Sequence, residues 1–401
     1  MDLAQDGLSN QERKILMRCL FAGSCIPIIL LGWWLSLPVS AAGCPLPGQW
    51  LAPGGEPLEP AKLMQKLAQQ DVVLLGEQHD RMDHHRWQLH MLAGLHALRP
   101  ELVIGLEMLP REAQPALDAW VAGEFDEPAF LDASEWYKAW GFDPELYLPI
   151  LHFARLHQVP LKALNVTPEL RGRLVEEGWE AVAVEERFGI TAPAAALPAY
   201  REQLAAIHAE HPMGSMGESE AGLERFIAAQ LVWDRAMATG LAQATYENEL
   251  VVGLMGQGHL QYGHGVPYQL DDLGVEAHAT LLPWDVTGPE CEPPPDGLAR
   301  ALFVLGETPA PIHPRAQLGV YLQPDEQGMA VHEVMQDSVA QAAGLEAGDI
   351  IQRAAGKSLV RTDELVRIVQ RQPPGTLLPL DILRDGHERE VLVRFPASPE
   401  G

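Results

Sequence analysis

The sequence predicts an α/β domain with a mainly parallel sheet flanked by helices, followed by a smaller β-rich domain. Three observations predict it. The runs Asp71-Val72-Val73-Leu74-Leu75-Gly76 and Glu101-Leu102-Val103-Ile104-Gly105-Leu106-Glu107 are short and almost continuously apolar, as strands buried on both faces must be. Between them, Trp87, Leu89, Met91, Leu92, Leu95 and Leu98 recur at helical spacing until Pro100 closes the segment, which makes a strand–helix–strand unit. From Leu318 onward the pattern changes to short strands separated by glycine turns, with Asp385-Gly386 marking a hairpin.

The elements follow in order. Pro144 to Gln158 reads as a helix with proline in its first turn, and Val159 to Leu164 as a strand ended by Asn165. Glu218 to Tyr246 reads as a long amphipathic helix, Glu249 to Met255 as a further buried strand, and Ala277 to Leu282 as a last one. Thr191 to Pro198 and His211 to Gly217 break the pattern and read as loops, candidates for a lid. The recurring prolines between Pro283 and Pro314 read as a stiff linker. The resulting division is a signal segment over 1–43, an α/β domain over 44–285, a linker over 286–314 and a C-terminal domain over 315–398.

Length and charge narrow the function. A chain of 401 residues exceeds one ordinary core. Its formal net charge of −27 repels nucleic acid phosphates and anionic membrane surfaces, so neither is expected as a partner. At the N-terminus, Arg13, Lys14 and Arg18 precede the charge-free apolar run Leu20 to Val39, and the small residues Ser40-Ala41-Ala42-Gly43 follow. This order is that of a secretory signal, which Met17 could itself begin. Three outcomes compete. Ser40-Ala41-Ala42 fits a signal peptidase site. Ala41-Ala42-Gly43-Cys44 resembles a lipobox, which would place a lipid on Cys44 and make that anchor the chain's only link to a membrane. An uncleaved anchor helix is the third, opposed by Pro27 and Pro38. The expected location is the periplasm or the outer membrane. Of the four cysteines, Cys19 and Cys25 fall in the signal, and no CxxC is present. If Cys44 carries no lipid, a Cys44–Cys291 disulfide is open to it.

The chemistry-bearing feature is a pair of GxxH strings. Gly76-Glu77-Gln78-His79 and Gly256-Gln257-Gly258-His259 each follow a predicted strand, and Glu107 ends another. Parallel strands collect ligands beyond their carboxyl ends, so His79, Glu107 and His259 are expected to converge. Glu77, Asp80, His84 and His85 crowd the first of these loops. Two imidazoles and a carboxylate can hold a divalent metal, position a general base or bind an iron porphyrin. The bland alternative is that both histidines only hydrogen-bond loop backbone.

Gly76-Glu77-Gln78-His79-Asp80, Leu106-Glu107-Met108, Tyr147-Leu148-Pro149-Ile150, Ala163-Leu164-Asn165, Trp233-Asp234-Arg235-Ala236-Met237-Ala238 and Gly256-Gln257-Gly258-His259-Leu260 occur in an order that resembles the ChaN-like family over about Ala61 to Leu282. The resemblance implies an exported envelope protein that binds haem for iron or haem uptake. It also implies kinship with Tiki/TraB proteases and erythromycin esterases, whose sites are marked by paired GxxH motifs, a Glu and an Arg. His79, Glu107, Arg235 and His259 carry over, with Tyr147 and Tyr262 as the phenols nearest the motifs and so candidate haem ligands. The alternative the wider group implies is a metal-dependent hydrolase using His79, Glu107 and His259 with a divalent metal such as manganese. The chain departs from the family at Pro267-Tyr268-Gln269, where a basic residue is often found, so this turn supplies no cation for a propionate. The C-terminal string Ser338-Val339-Ala340-Gln341-Ala342-Ala343-Gly344-Leu345-Glu346-Ala347-Gly348-Asp349-Ile350-Ile351 resembles the PDZ domains of bacterial envelope proteases. It implies a small β-barrel-like module that takes C-terminal or extended peptides as an added strand, with loop amides near Leu318, Gly319 and Val320 receiving the terminal carboxylate.

Overall fold

The computed structural model describes residues 44–210, 219–247, 249–286, 291–306, 316–359 and 361–397. The expected signal segment and the loop expected over 211–217 lie outside the described residues. Among the described residues, no helix is long and apolar enough to cross a membrane.

The first domain is built on an eight-stranded sheet. Its strands are β1 (Trp50–Leu51), β2 (Pro57–Leu58), β3 (Val72–Glu77), β4 (Leu102–Pro110), β5 (Leu161–Asn165), β6 (Leu250–Gly256), β7 (His278–Asp285) and β8 (Ala301–Leu305). They lie in the order β2-β1-β8-β7-β3-β6-β4-β5. All pairings from β8 to β5 are parallel, and β1 runs antiparallel to both β8 and β2. The sheet is therefore mixed but mainly parallel.

The apolar runs are continuous because both faces are covered. Val73, Leu75, Ile104 and Leu106 face a core shared with Trp87, Leu92, Leu117 and Leu151 from the helices Met82–Leu98, Gln114–Ala122 and Leu148–His157. Their neighbours Val72, Leu74 and Val103 point the other way, into a core with Met237 and Leu241 of the long helix Glu220–Ala244 and Leu270 of the helix Val266–Asp272. Strand alternation divides each run between the two cores.

The topology fixes what meets at the sheet's edge. The chain passes from β3 to β4 over the helix Met82–Leu98, and β6 later inserts between those two strands. Glu77 thereby sits in register with Gly256, and Leu106 with Leu254. The carboxyl ends of β3, β4 and β6 are neighbours although their residues are far apart in sequence.

Two sequence expectations are corrected. Residues Ala301–Leu305 do not belong to a linker: β8 pairs with β7 and β1, with Ala301, Leu302 and Val304 fully buried. The surrounding prolines masked a five-residue strand too short to show periodicity. Cys44, expected to carry a lipid, is instead joined to Cys291, with Cα atoms 5.4 Å apart. A sulfur in a disulfide has no valence left for a lipid thioether. The cross-link ties the start of the domain to the segment before β8.

The C-terminal domain has a six-stranded antiparallel sheet: β9 (Val320–Asp325), β10 (Gly328–Val334), β11 (Ile350–Ala354), β12 (Lys357–Ser358), β13 (Leu377–Arg384) and β14 (His387–Arg394). Its main order is β14-β13-β11-β10-β9, which leaves β9 at an edge, and β12 pairs with β11. Asp349 is buried, accepts two bonds of 2.6 Å from Arg384 and thereby locks the turn before β11 to the end of β13. Burial alone would raise its carboxyl pKa, but the Arg384 bonds outweigh that and hold it below the usual range.

Candidate functional site

The site starts at the end of β3. Glu77 is the last residue of that strand and has no solvent contact. A buried carboxylate is costly unless it is bonded, and this one is surrounded by donors. The Tyr147 hydroxyl donates to its Oε1 at 2.6 Å, and the Nδ1 of His79 lies 2.9 Å from the same oxygen. The Nδ1 of His85 lies 3.2 Å from Oε2. Burial would raise the Glu77 pKa, but the bonds from His79, His85 and Tyr147 bring it down to about 2. His85 also bonds the carbonyl of His79 through Nε2 at 3.1 Å. Burial opposes its charge, yet Glu77 raises its pKa, and both ring nitrogens have acceptors as an imidazolium requires. His84 has the opposite task. Its Nδ1 accepts the amide of Gln78 at 3.0 Å, and burial brings its pKa down to about 4, so it stays neutral.

With Nδ1 turned to Glu77, His79 presents Nε2 toward β6 and Glu107. A Cβ built on Gly256 would lie 2.9 Å from its Cε1, 3.2 Å from its Nε2 and 3.7 Å from the Oε2 of Glu107. Glycine at this position makes room for the imidazole. Trp140 meets the ring edge-on at 4.6 Å and Phe142 packs at 5.2 Å, which leaves the His79 side chain 30% exposed.

The second imidazole is held the same way. His259 bonds the Oδ1 of Asp234 through Nδ1 at 2.6 Å, and its Nε2 lies 3.5 Å from the Oε1 of Glu107. Asp234 is fully buried on the long helix, and its Oδ2 accepts the Tyr200 hydroxyl at 2.8 Å. Burial would lower the His259 pKa, but Asp234 and Glu107 outweigh it and bring it up to about 9. Burial likewise opposes the His79 cation, and Glu77 and Glu107 raise its pKa. Glu107 accepts the Gly256 amide at 2.6 Å through its other oxygen. Two histidines, each with a carboxylate behind its Nδ1, thus turn toward a shared third carboxylate, an arrangement that fixes ring orientation and raises ligand basicity.

His79, Glu107 and His259 are therefore brought together, and Arg235 is not. The Arg235 guanidinium bonds Asp272 at 2.6 Å, Thr191 at 2.6 and 3.1 Å, and Gln269 at 3.2 Å. It fastens the loop after Ile190 to the helix Val266–Asp272, which corrects the expectation that it joins His79, Glu107 and His259 in the site. Its chain neighbour Asp234 reaches the site instead. Helical spacing alone does not say which of two adjacent polar residues turns toward the sheet. Tyr147 is corrected as an iron ligand. Its hydroxyl is buried and committed to Glu77, and burial together with that carboxylate pushes its pKa up, away from phenolate. Tyr262 lies just beyond His259, is 43% exposed, takes a positive φ of 57° and stacks on His264. Asp234 and Phe142 are site residues that sequence patterning did not single out.

Among the described residues, one group of three has metal-ligating atoms all within 4.8 Å of one another: Asp83, His84 and Asp285. The Arg81 guanidinium already binds both carboxylates at 2.6–3.1 Å, so this cluster is an ion-pair knot between the loop after β3 and the end of β7. The candidate ligand atoms of His79, Glu107 and His259 do not all lie within 4.8 Å of one another.

In the C-terminal domain a groove of about 230 Å³ runs between β9 and the helix Thr362–Gln370, lined by Leu318, Gly319, Val320, Leu322, Leu365 and Val369. Gly319 has a φ of 77°, and a Cβ there would meet the Cβ of Ser338 at 2.4 Å, so glycine is required on both counts. The edge of β9 beside this groove is where a strand can be added.

Comparison with known proteins agrees with this architecture. A family described as "Haem-binding uptake, Tiki superfamily, ChaN" matches residues 63–270, and the PDZ domain family matches residues 316–394. A solved structure titled "Cofacial heme binding to ChaN of Campylobacter jejuni" superposes with a TM-score of 0.52 at 17% identity, covering 65% of this chain and 97% of that one. At that identity the likeness establishes the fold. Probable periplasmic serine endoproteases, DegP-like, from Ectopseudomonas mendocina and Marinomonas sp. are 33% and 35% identical over 73 and 72 residues, 18% of this chain in each case. The chain spans only 15% of the length of those relatives.

Proposed function

Because the chain belongs to the ChaN haem-binding uptake family of the Tiki superfamily and carries a C-terminal PDZ domain, we propose that it is an exported envelope protein that binds haem at the His79–Glu107–His259 site and a peptide in its PDZ groove. The observation that carries the haem reading is His79. Its Nδ1 is held by Glu77, and its solvent-reachable ring is flanked by Trp140 and Phe142. An imidazole so fixed can offer Nε2 to iron, and the aromatic rings suit a flat macrocycle.

The donor set fits the group in a second respect. The Trp140 indole N–H and the Tyr137 hydroxyl are buried without a hydrogen-bond partner, and a ligand bearing oxygen acceptors would satisfy them. His79 would hold the haem, with Tyr262 the exposed phenol on the neighbouring loop and His259 the facing cation that Asp234 keeps protonated. Bound haem supplies iron redox and ligand-exchange chemistry; the protein's part is orientation and charge.

A second reading, a metal-dependent hydrolase, is favoured by the carboxylates behind both Nδ1 atoms, which is how catalytic metal ligands are often oriented. One experiment separates the two. Purified residues 44–401, with the Cys44–Cys291 bond intact, are titrated with haemin by visible spectroscopy, and the same sample is analysed for metals. A saturable Soret shift that His79→Ala abolishes supports haem binding. No shift, with stoichiometric divalent metal, replaces that reading with the hydrolase.

The Cys44–Cys291 bond supports export, because such bonds persist in oxidising compartments. The open edge of β9 and the apolar groove beside it support peptide capture by strand addition, with an affinity of about micromolar order. Calorimetry against C-terminal peptides tests this part. Silence across a diverse set would leave the PDZ domain a packing module.

A further inference from the structure

The PDZ helix Thr362–Gln370 has two sides with different surroundings. Leu365 and Val369 face the peptide groove. On the other side, Arg367 and the following Arg371 line a cavity of about 500 Å³, whose opposite wall is Tyr137, Phe142, Asp143 and Pro144 of the first domain. The cavity adjoins the candidate haem site, because Phe142 packs against His79 on one side and lines the cavity on the other.

The charge balance of this cavity is unusual for so acidic a chain. The Arg367 guanidinium lies over the Tyr137 ring at 5.2 Å, and among the described residues no carboxylate forms an ion pair with it. Arg371 reaches Glu145 at 2.9 Å, but both side chains are about half exposed, and such a pair is weak enough to exchange for a better one. Asp143 is the one acid in the wall, and its Oδ1 already accepts the amide of Glu145. The buried Tyr137 hydroxyl and Trp140 N–H add two donors without partners in the same segment. Aromatic walls and a surplus of donors call for a flat ligand that carries carboxylates.

We propose that Arg367 and Arg371 of the PDZ domain bind the carboxylates of the porphyrin held at His79, so that the site of the first domain is completed by the second. This inference rests on the haem reading above. It supplies the cations that the turn Pro267-Tyr268-Gln269 and the committed Arg235 do not. It also places ligand contacts on the helix that borders the peptide groove, since Val366 and Gln370 line both the groove and the cavity.

The test uses the full chain and two probes, haemin and its dimethyl ester, which differ only in the carboxylates. The wild type is expected to prefer haemin by tenfold or more. In Arg367→Gln/Arg371→Gln that preference disappears, haemin binding weakens by about tenfold per lost carboxylate contact, and dimethyl ester binding is unchanged. Arg367→Lys/Arg371→Lys restores part of the preference. If the Gln variant keeps the wild-type preference, or weakens both probes equally, the arginines do not read the carboxylates and the proposal falls while haem binding stands. If neither probe binds the wild type, the haem reading itself fails and takes this inference with it.

Discussion

Gly256→Ala isolates the geometry of the site with a single methyl group. Gly256 has φ −56° and ψ 133°, a conformation alanine adopts without strain, so the backbone gives no reason for glycine. The reason is His79: the new methyl would sit 2.9 Å from its Cε1 and 3.2 Å from its Nε2. Carbon atoms in contact prefer about 3.5–4.0 Å, so the ring or the strand must give by about half an ångström or more. The ring cannot retreat freely, because Glu77 holds Nδ1 at 2.9 Å and Trp140 and Phe142 pack around it. Overpacking of this kind costs about 1–3 kcal/mol, or a few degrees in Tm for a domain of this size. The displaced Nε2 should weaken haemin binding by about tenfold or more, since each 1.4 kcal/mol is a factor of about ten. Thermal unfolding by circular dichroism and a haemin titration by Soret absorption measure the two effects on one sample. A folded variant with unchanged haemin affinity would refute the claim that the position of His79 determines binding.

The other expectations rest on independent features. Tyr147→Phe removes a donor from the buried Glu77 carboxylate and should destabilise the first domain by about 2 kcal/mol in urea unfolding; no change would mean that Glu77 is adequately bonded without it. Because the Asp349 pKa is lowered in the folded state, its contribution is present above its unfolded value near 3.8 and is lost as pH falls through the folded value. Asp349→Asn should therefore lower PDZ stability at pH 7 by about 3 kcal/mol and flatten its acid dependence below pH 4, as calorimetry across pH would show. Cys291→Ser opens a cross-link between residues separated by 247 positions and should cost up to about 5 kcal/mol; an unshifted melting curve under oxidising conditions would mean that the bond does not form.

Much of this protein could be read from its sequence because the controlling signals are local. Continuous apolar runs mark β3, β4 and β6, since a strand covered on both faces has no polar side to show. The glycine-rich string around Gly344 and Gly348 marked the PDZ module for a similar reason: positive φ at those turns restricts the residue type directly. Residues placed at strand ends could also be foreseen together, because parallel strands deliver them to one edge, and His79, Glu107 and His259 do meet there. What the sequence left open was direction. Asp234 and Arg235 are adjacent on one helix, and only its packing against the sheet turns Asp234 to His259 and Arg235 to Asp272. Tyr147 could have faced a ligand, but the buried charge of Glu77 claims its hydroxyl. The strand β8 depends on partners far away in the chain, which no local pattern encodes, and the choice between a lipid and Cys291 as the partner of Cys44 likewise rests on what the fold brings beside it. Tertiary structure decides such cases because a polar side chain takes its role from whichever charge the fold buries beside it.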